Sequence, residues 1–388
     1  MKQLIFLFGF FFLSADNLKA QDSATVNSFR TFRVGIFAPV YLDSVFTGTH
    51  YRYGKNFPRF SFPGLEFLQG AQVALDSILI YQANIEARFY DVRSMDLAMA
   101  LSRREFDSLD LAIGSVREED FSQLASFAKK KNIPFISATY PNDGGVTSNP
   151  FLVIMNSTLR AHCEAIYSYV LQTHSMDNIV LATQPGSQEE KVADYLKGSN
   201  TPDGAPLLNY KTVNIDGDFT RLKNSLDSTK NNVIIGGSLD DAFATELALT
   251  SAGLKGNYKI KLIGMPNWES FFKKANPKLK DFPIFFTTPY YNGKEDNYSL
   301  MLSDAYKKRY KISPSELAFK GFETIYLFVK LIAKHPHDFI SHLNDYPHKV
   351  FSDYNFKPVF NEDGTPDYFE NKHLYFLKLE NGNVSSTF

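Results

Sequence analysis

The chain has a single cysteine, Cys163, in 388 residues. That excludes an internal disulfide framework and any zinc site built from several cysteines. Charge of one sign is lacking too: 41 Lys and Arg stand against 42 Asp and Glu, a net charge of -1. With no basic excess to follow a phosphate backbone, no nucleic-acid partner is expected. The most apolar stretch, Leu4–Leu13 (LIFLFGFFFL), falls well short of the about 20 residues a membrane-spanning helix needs. Enzyme signatures are also missing. The sequence has no G-x-S-x-G elbow, no H-E-x-x-H and no G-x-x-x-x-G-K-[ST] loop, so neither catalysis nor a cofactor is expected. His335, His337, His342 and His348 with Asp338 are the one metal-like group, but their spacing fits no tetrahedral pattern and no metal site is assigned. Cys163 lies in a helical stretch and reads as a small buried residue rather than a nucleophile.

What is present is ordinary globular material. Hydrophobic residues make up 44% and charged residues 21%, which excludes a wholly disordered chain. The length suggests two to three domains, at roughly 150 residues each. Lys2, the apolar run and Ala20 resemble a secretory signal over residues 1–20, with cleavage expected after Ala20. An uncleaved N-terminal anchor is the alternative. With no cysteine near the cut, a lipoprotein is not expected. The expectation is a periplasmic or otherwise exported, soluble chain, with little access to ATP or NAD.

Short apolar runs alternate with helical periods. Val34–Pro39, Glu86–Val92, Leu111–Val116 and Ile133–Ala138 read as strands, and 62–80, 94–107 and 119–131 as helices. After a longer connection at 140–157 the pattern restarts. Strands are expected at Asn178–Thr183, Tyr210–Ile215, Asn232–Gly236 and Ile260–Gly264, with helices between them. Gly253 stands where a C-cap glycine is expected. A strand over 282–291, helices over 297–310 and 316–334, and a closing strand near 374–379 are too few to bury a third core. The pattern is α/β: two units, each a parallel sheet covered on both faces.

Five stretches carry a family resemblance: Phe62–Ser77 (FPGLEFLQGAQVALDS), Ile133–Pro141 (IPFISATYP), Val233–Gly264 with its IIGGSLDDAFATELALTSAGLKG, Gly321-Phe322-Glu323, and the Phe360…Asp363-Gly364…Tyr375-Phe376 tail. In order and spacing the chain resembles the type I periplasmic binding proteins, in the leucine/isoleucine/valine-binding branch of ABC-transporter solute receptors. The resemblance implies two Rossmann-like lobes joined by three interlobe crossovers. Lobe 1 would hold residues 30–155 and about 296–350, and lobe 2 residues 156–295 and about 351–388. It also implies a small-molecule ligand (an amino acid or related polar solute), a membrane permease as partner, and a monomer. The alternative is a sensor or cell-envelope interaction protein that kept the fold without a transport role.

Ligands of open parallel sheets sit beyond the carboxyl ends of the strands. By position, the resemblance places ligand contacts on Ser137, Ala138 and Thr139, with Tyr140 either stacking on a ligand or packing between lobes. Ser115 follows Gly114, and Arg117 is either a bidentate carboxylate ligand or a solvated helix start. Ser238 stands where the family often has Tyr. Asp240 is either a substitute partner for a ligand ammonium or a helix N-cap. Trp268 is either a cleft wall or a packed core residue. Tyr290 and Tyr291 precede a crossover, where they line the cleft or pack between lobes. The insertion Thr47–Arg59 forms a lid or a variable surface loop.

Overall fold

The structure is a computed structural model describing residues 29–387, except residue 79 and residues 81–82, 273–275 and 346–349. The expected signal segment and His348 lie outside the described residues. Among the described residues, no helix is long and apolar enough to cross a membrane.

The chain opens with strand β1 (Arg30–Ala38), a helical turn α1 (Leu42–Val45) and a small hairpin, β2 (Phe46–Thr47) and β3 (His50–Tyr51). Then come α2 (Phe62–Ser77), β4 (Ala83–Asp91), α3 (Leu97–Leu101), β5 (Leu111–Gly114), α4 (Glu118–Lys131), β6 (Phe135–Ser137) and β7 (Leu152–Ile154). The second lobe follows with α5 (Leu159–His174), β8 (Asn178–Thr183), α6 (Ser187–Asn200), β9 (Tyr210–Asn214) and α7 (Thr220–Ser225). It continues through β10 (Asn231–Gly236), α8 (Asp241–Leu254), β11 (Lys259–Ile263), α9 (Trp268–Phe272) and β12 (Ile284–Thr288). The chain then recrosses to α10 (Asn297–Tyr310) and α11 (Glu316–Lys334). Strands β13 (Phe356–Phe360) and β14 (Pro366–Asn371) precede β15 (Tyr375–Glu380) and β16 (Asn383–Ser386).

Among the described residues, two seven-stranded sheets result, in the orders β13-β14-β7-β6-β5-β1-β4 and β16-β15-β12-β11-β10-β8-β9. The strands from β7 to β4 and from β12 to β9 pair in parallel, and the hairpins β13–β14 and β15–β16 add antiparallel edges. The chain passes between lobes three times, at residues 155–158, 289–296 and 372–374. The two-lobed α/β architecture expected from the sequence is therefore present. The partition of the tail is corrected. Strands β13 and β14 belong to the first sheet, so only the segment from Tyr375 onward joins the second.

Local chemistry explains the elements. In β1, Val34, Ile36, Phe37 and Ala38 are all fully buried, as a central parallel strand covered on both faces requires. Ile36 faces the α2 and α11 layer with Phe67 and Phe322, while Phe37 faces the α4 layer with Phe106 and Phe121. Helix α4 starts with Glu118, Glu119 and Asp120, ends with Lys129, Lys130 and Lys131, and closes on Asn132 at φ 54°. This charge order opposes the helix dipole at both ends. Helices α2 and α11 touch backbone to backbone. A Cβ on Gly70 would lie 1.9 Å from the Ala318 carbonyl oxygen, and one on Gly321 would lie 2.1 Å from that of Phe67.

Two local expectations change. The 140–157 connection holds β7, a fully buried strand only three residues long. Gly253 does not end α8, which runs through it to Leu254 with Lys255 as its cap.

Candidate functional site

The crossovers are stitched together by buried polar groups. Ser157 Oγ donates to the Asn371 carbonyl at 2.6 Å, and the Thr158 amide donates to Glu370 Oε1 at 2.6 Å. Lys372 Nζ holds the other oxygen of Glu370 at 2.7 Å. Asn371 Oδ1 accepts from the amides of Asn355 and His373, both at 3.0 Å. At the second crossover, Tyr290 donates its hydroxyl to the Ala138 carbonyl at 2.6 Å. Its burial pushes the phenol well above its ordinary pKa. Behind it, buried His162 shares a 2.7 Å hydrogen bond between Nδ1 and Thr287 Oγ1. Burial pulls the His162 imidazole down to about 3, so it is neutral.

Beside these crossovers lies a cavity of about 800 Å³. Pro141, Glu316 and Lys320 wall it from the first lobe, and Leu239, Asn267 and Glu269 from the second. Asn156, Tyr290 and Asn292 line it from the crossovers. Pro141, Leu239, Asn267 and Pro289 each follow the carboxyl end of a parallel strand, where open α/β sheets take their ligands. The volume suits a small organic molecule.

Of the residues singled out from the sequence as ligand contacts, Tyr290 lines this cavity, as does its neighbour Tyr291. Ser115 and Thr139 share a 3.0 Å hydroxyl contact just behind it. Asn156, on the wall, reaches them by donating to the Thr139 carbonyl at 2.7 Å. Ala138 meets the site only through its carbonyl, on Tyr290. Arg117 is exposed at the N-cap of α4, close enough to Lys320 to influence its proton affinity. Tyr140 packs against Phe121 with its ring tilted and ring centres 5.2 Å apart, so its ring serves the α4 core.

Four expectations are corrected. Ser137 is fully buried within β6 and does not reach the cavity. Ser238 is also fully buried; its hydroxyl donates to Glu189 Oε1 at 2.6 Å and accepts the Asp240 amide at 3.0 Å, so it serves the loop. Asp240 is the N-cap of α8, accepting from the Phe243 amide at 2.8 Å. Trp268 is fully enclosed, with its indole N–H given to the Ser238 carbonyl at 2.9 Å. Gly236 and Gly264 make room for its ring: a Cβ on either would lie within 2.3 Å of a ring carbon.

The insertion after β1 forms the β2–β3 hairpin and an exposed aromatic group in which Tyr51 meets Tyr53 and Phe57, and Tyr53 meets Phe60. None of these side chains lines the cavity. Elsewhere, His335, Asp338 and His342 do come together, with the two rings stacked at 3.7 Å. Carboxylates occupy both nitrogens of His342, Asp338 at 2.8 Å and Asp345 at 2.6 Å, and they raise its pKa. Cys163 is buried, and burial pushes its thiol up to about 12, away from nucleophilic use.

Sequence reasoning missed Lys320, Asn267 and Asn292. Lys320 carried a signal: it interrupts the apolar run of α11 between Phe319 and Gly321. The two asparagines sit in loops and carried none.

A sequence model of the family described as periplasmic binding protein matches residues 60–367. Among curated protein sequences, none matches the chain. The fold is similar to that of a branched-chain amino acid ABC transporter periplasmic ligand-binding protein from Burkholderia xenovorans, at 12% identity and TM-score 0.57, covering 92% of this chain and 94% of that one. It is similar to an ABC transporter substrate-binding protein from Desulfitobacterium hafniense in complex with Leu, at 13% identity and TM-score 0.56, covering 92% and 100%. A third is an ABC transporter solute-binding protein from R. palustris in complex with benzoate, at 15% identity and TM-score 0.50, covering 92% and 95%. At these identities the likeness to the three structures is one of fold.

Proposed function

The chain belongs to the periplasmic binding protein family, and from that premise we propose that it is an exported solute receptor that captures a small polar molecule between its lobes. The observation that carries this reading is the cavity of about 800 Å³ walled by both lobes and by the crossovers between them. A pocket placed at a pivot changes shape when the lobes rotate, so a ligand that touches both walls favours the closed state. Capture of this kind forms no covalent bond, and the receptor is read as non-enzymatic. The captured solute, an amino acid or a related polar molecule, would pass to an ABC-type membrane permease that recognises the closed monomer.

A thermal-shift screen against amino acids, short peptides, sugars and cell-envelope fragments tests the reading. A ligand at a hundred times its dissociation constant adds about 2.7 kcal/mol to the folded state. The expected result is a clear rise in melting midpoint with one solute class. No rise with any class contradicts it.

A further inference from the structure

The insertion between β1 and α2 carries charge of one sign. From Ser44 to Leu65 it has no Asp or Glu, but it holds Arg52, Lys55 and Arg59, in a chain whose acids and bases otherwise balance. Among the described residues, no carboxylate pairs with any of the three. Arg52 Nε donates only to the Thr47 hydroxyl, at 2.6 Å. Of the flanking acids, Glu66 accepts the Ser315 hydroxyl at 2.7 Å, and Asp43 stands exposed at the edge of the insertion.

The same segment exposes apolar surface. Leu42, Phe46, Tyr53, Phe57 and Phe60 each keep between 36% and 47% of their surface in solvent. The rings form one connected group, with Phe46 5.6 Å from Tyr51 and Tyr53 6.1 Å from Phe60. Single exposed apolar side chains are ordinary, but a contiguous group of this kind marks a surface that meets something.

Shape and chemistry narrow what it meets. The turns at Gly48 and Gly54 have φ of 58° and 60°, and a Cβ on either would find nothing within 4 Å, so the segment projects from the lobe. A projecting tip of rings sinks into a soft headgroup layer without needing a matched concave partner. Phenylalanine has no polar tip to satisfy, and it gains most from an apolar medium, while flanking lysine and arginine meet the phosphates above it.

We propose that the insertion docks the protein on an anionic lipid surface, with its exposed rings in the headgroup layer and Arg52, Lys55 and Arg59 against lipid phosphates. The inference goes beyond the receptor reading and does not depend on it. The two readings fit together in space. The insertion follows the carboxyl end of β1, and the cavity residue Pro141 follows that of β6, a parallel strand of the same sheet. Docking therefore turns the cavity end of the first lobe toward the bilayer.

The test places an environment-sensitive fluorophore on the hairpin tip of the full chain through Thr49→Cys. Cys163 is buried and its thiol is pushed up by burial, so the label goes to the tip. Titrations use vesicles of phosphatidylglycerol and phosphatidylcholine in equal parts, vesicles of phosphatidylcholine alone, and polyglutamate as a soluble polyanion. The expected result is a blue shift with the anionic vesicles, weakened by salt. A basic side chain near such a surface is worth about five-fold in affinity. The combined variant Arg52→Ser, Lys55→Ser and Arg59→Ser should therefore bind about a hundred-fold more weakly, and its unchanged melting midpoint reports an intact fold. The readout is local, so attachment through Leu4–Leu13 alone leaves the emission unmoved. Emission unmoved by anionic vesicles, an equal shift with neutral ones, or an unchanged affinity in the variant overturns the proposal. A response to polyglutamate in place of vesicles also overturns it, and assigns the patch to an acidic protein partner.

Discussion

The phenol of Tyr290 donates a 2.6 Å hydrogen bond to the main-chain carbonyl of Ala138. The donor follows the last parallel strand of the second lobe, and the acceptor follows β6 of the first. A single side chain thus bridges the lobes at the pivot, while its ring face carries Lys320 and its edge meets Tyr354 at 6.4 Å. The contact ties the hinge to the wall of the cavity.

Tyr290→Phe removes this bridge and leaves the carbonyl without its donor. The expected loss is about 1–3 kcal/mol of folding stability, read as a lower midpoint in urea unfolding at unchanged slope. An unchanged midpoint would mean that the hydrogen bond does not hold the lobes.

Trp268 is the single tryptophan and is fully enclosed. Its fluorescence should be blue-shifted and should resist quenching by acrylamide, with or without a solute. Trp268→Ala should cost about 3–5 kcal/mol. Strong quenching that a bound solute relieves would return Trp268 to the cleft wall.

Gly70→Ala tests the contact between α2 and α11. The added methyl meets the Ala318 carbonyl, which cannot swing away as a flexible side chain would. Overpacking of this kind costs about 1–3 kcal/mol, although alanine is the better helix former. A variant as stable as the parent in chemical denaturation would show that the helices stand further apart.

Much of the fold was legible because buried parallel strands and amphipathic helices leave strong periods. Helices α10 and α11 fall at 297–310 and 316–334, as their patterns predict. What escaped lacked a period. Strand β7 is three residues long and follows Pro150. Strand β14 reads Pro-Asp-Tyr-Phe-Glu-Asn, too polar for a buried strand until Glu370 and Asn371 are seen bonded into the crossovers. The site was read less well than the fold. Strand ends name positions but not directions, so Ser238 and Trp268 turned inward while Tyr290 turned to the cavity. The Gly236 and Gly264 positions that resemble the family serve here to seat the Trp268 ring.

His162 gives a pH test. Its imidazole titrates near 3 in the folded chain and near about 6.5 when unfolded. As pH falls, the unfolded chain takes the proton first. The stability that neutral His162 contributes is therefore full above about pH 6.5 and is lost progressively as pH falls toward 3. His162→Gln should flatten the fall in stability between pH 6.5 and 4, measured by denaturant unfolding at several pH values. Parallel curves for the two proteins would show that His162 is protonated in the folded state.

Closure of the lobes on a solute is the central claim. Small-angle scattering of the full chain, with and without the solute that most raises its melting midpoint, reads it directly. The account predicts a smaller radius of gyration with the solute, reversed when the solute is dialysed away. A stabilising solute that leaves the radius unchanged would contradict capture between the lobes.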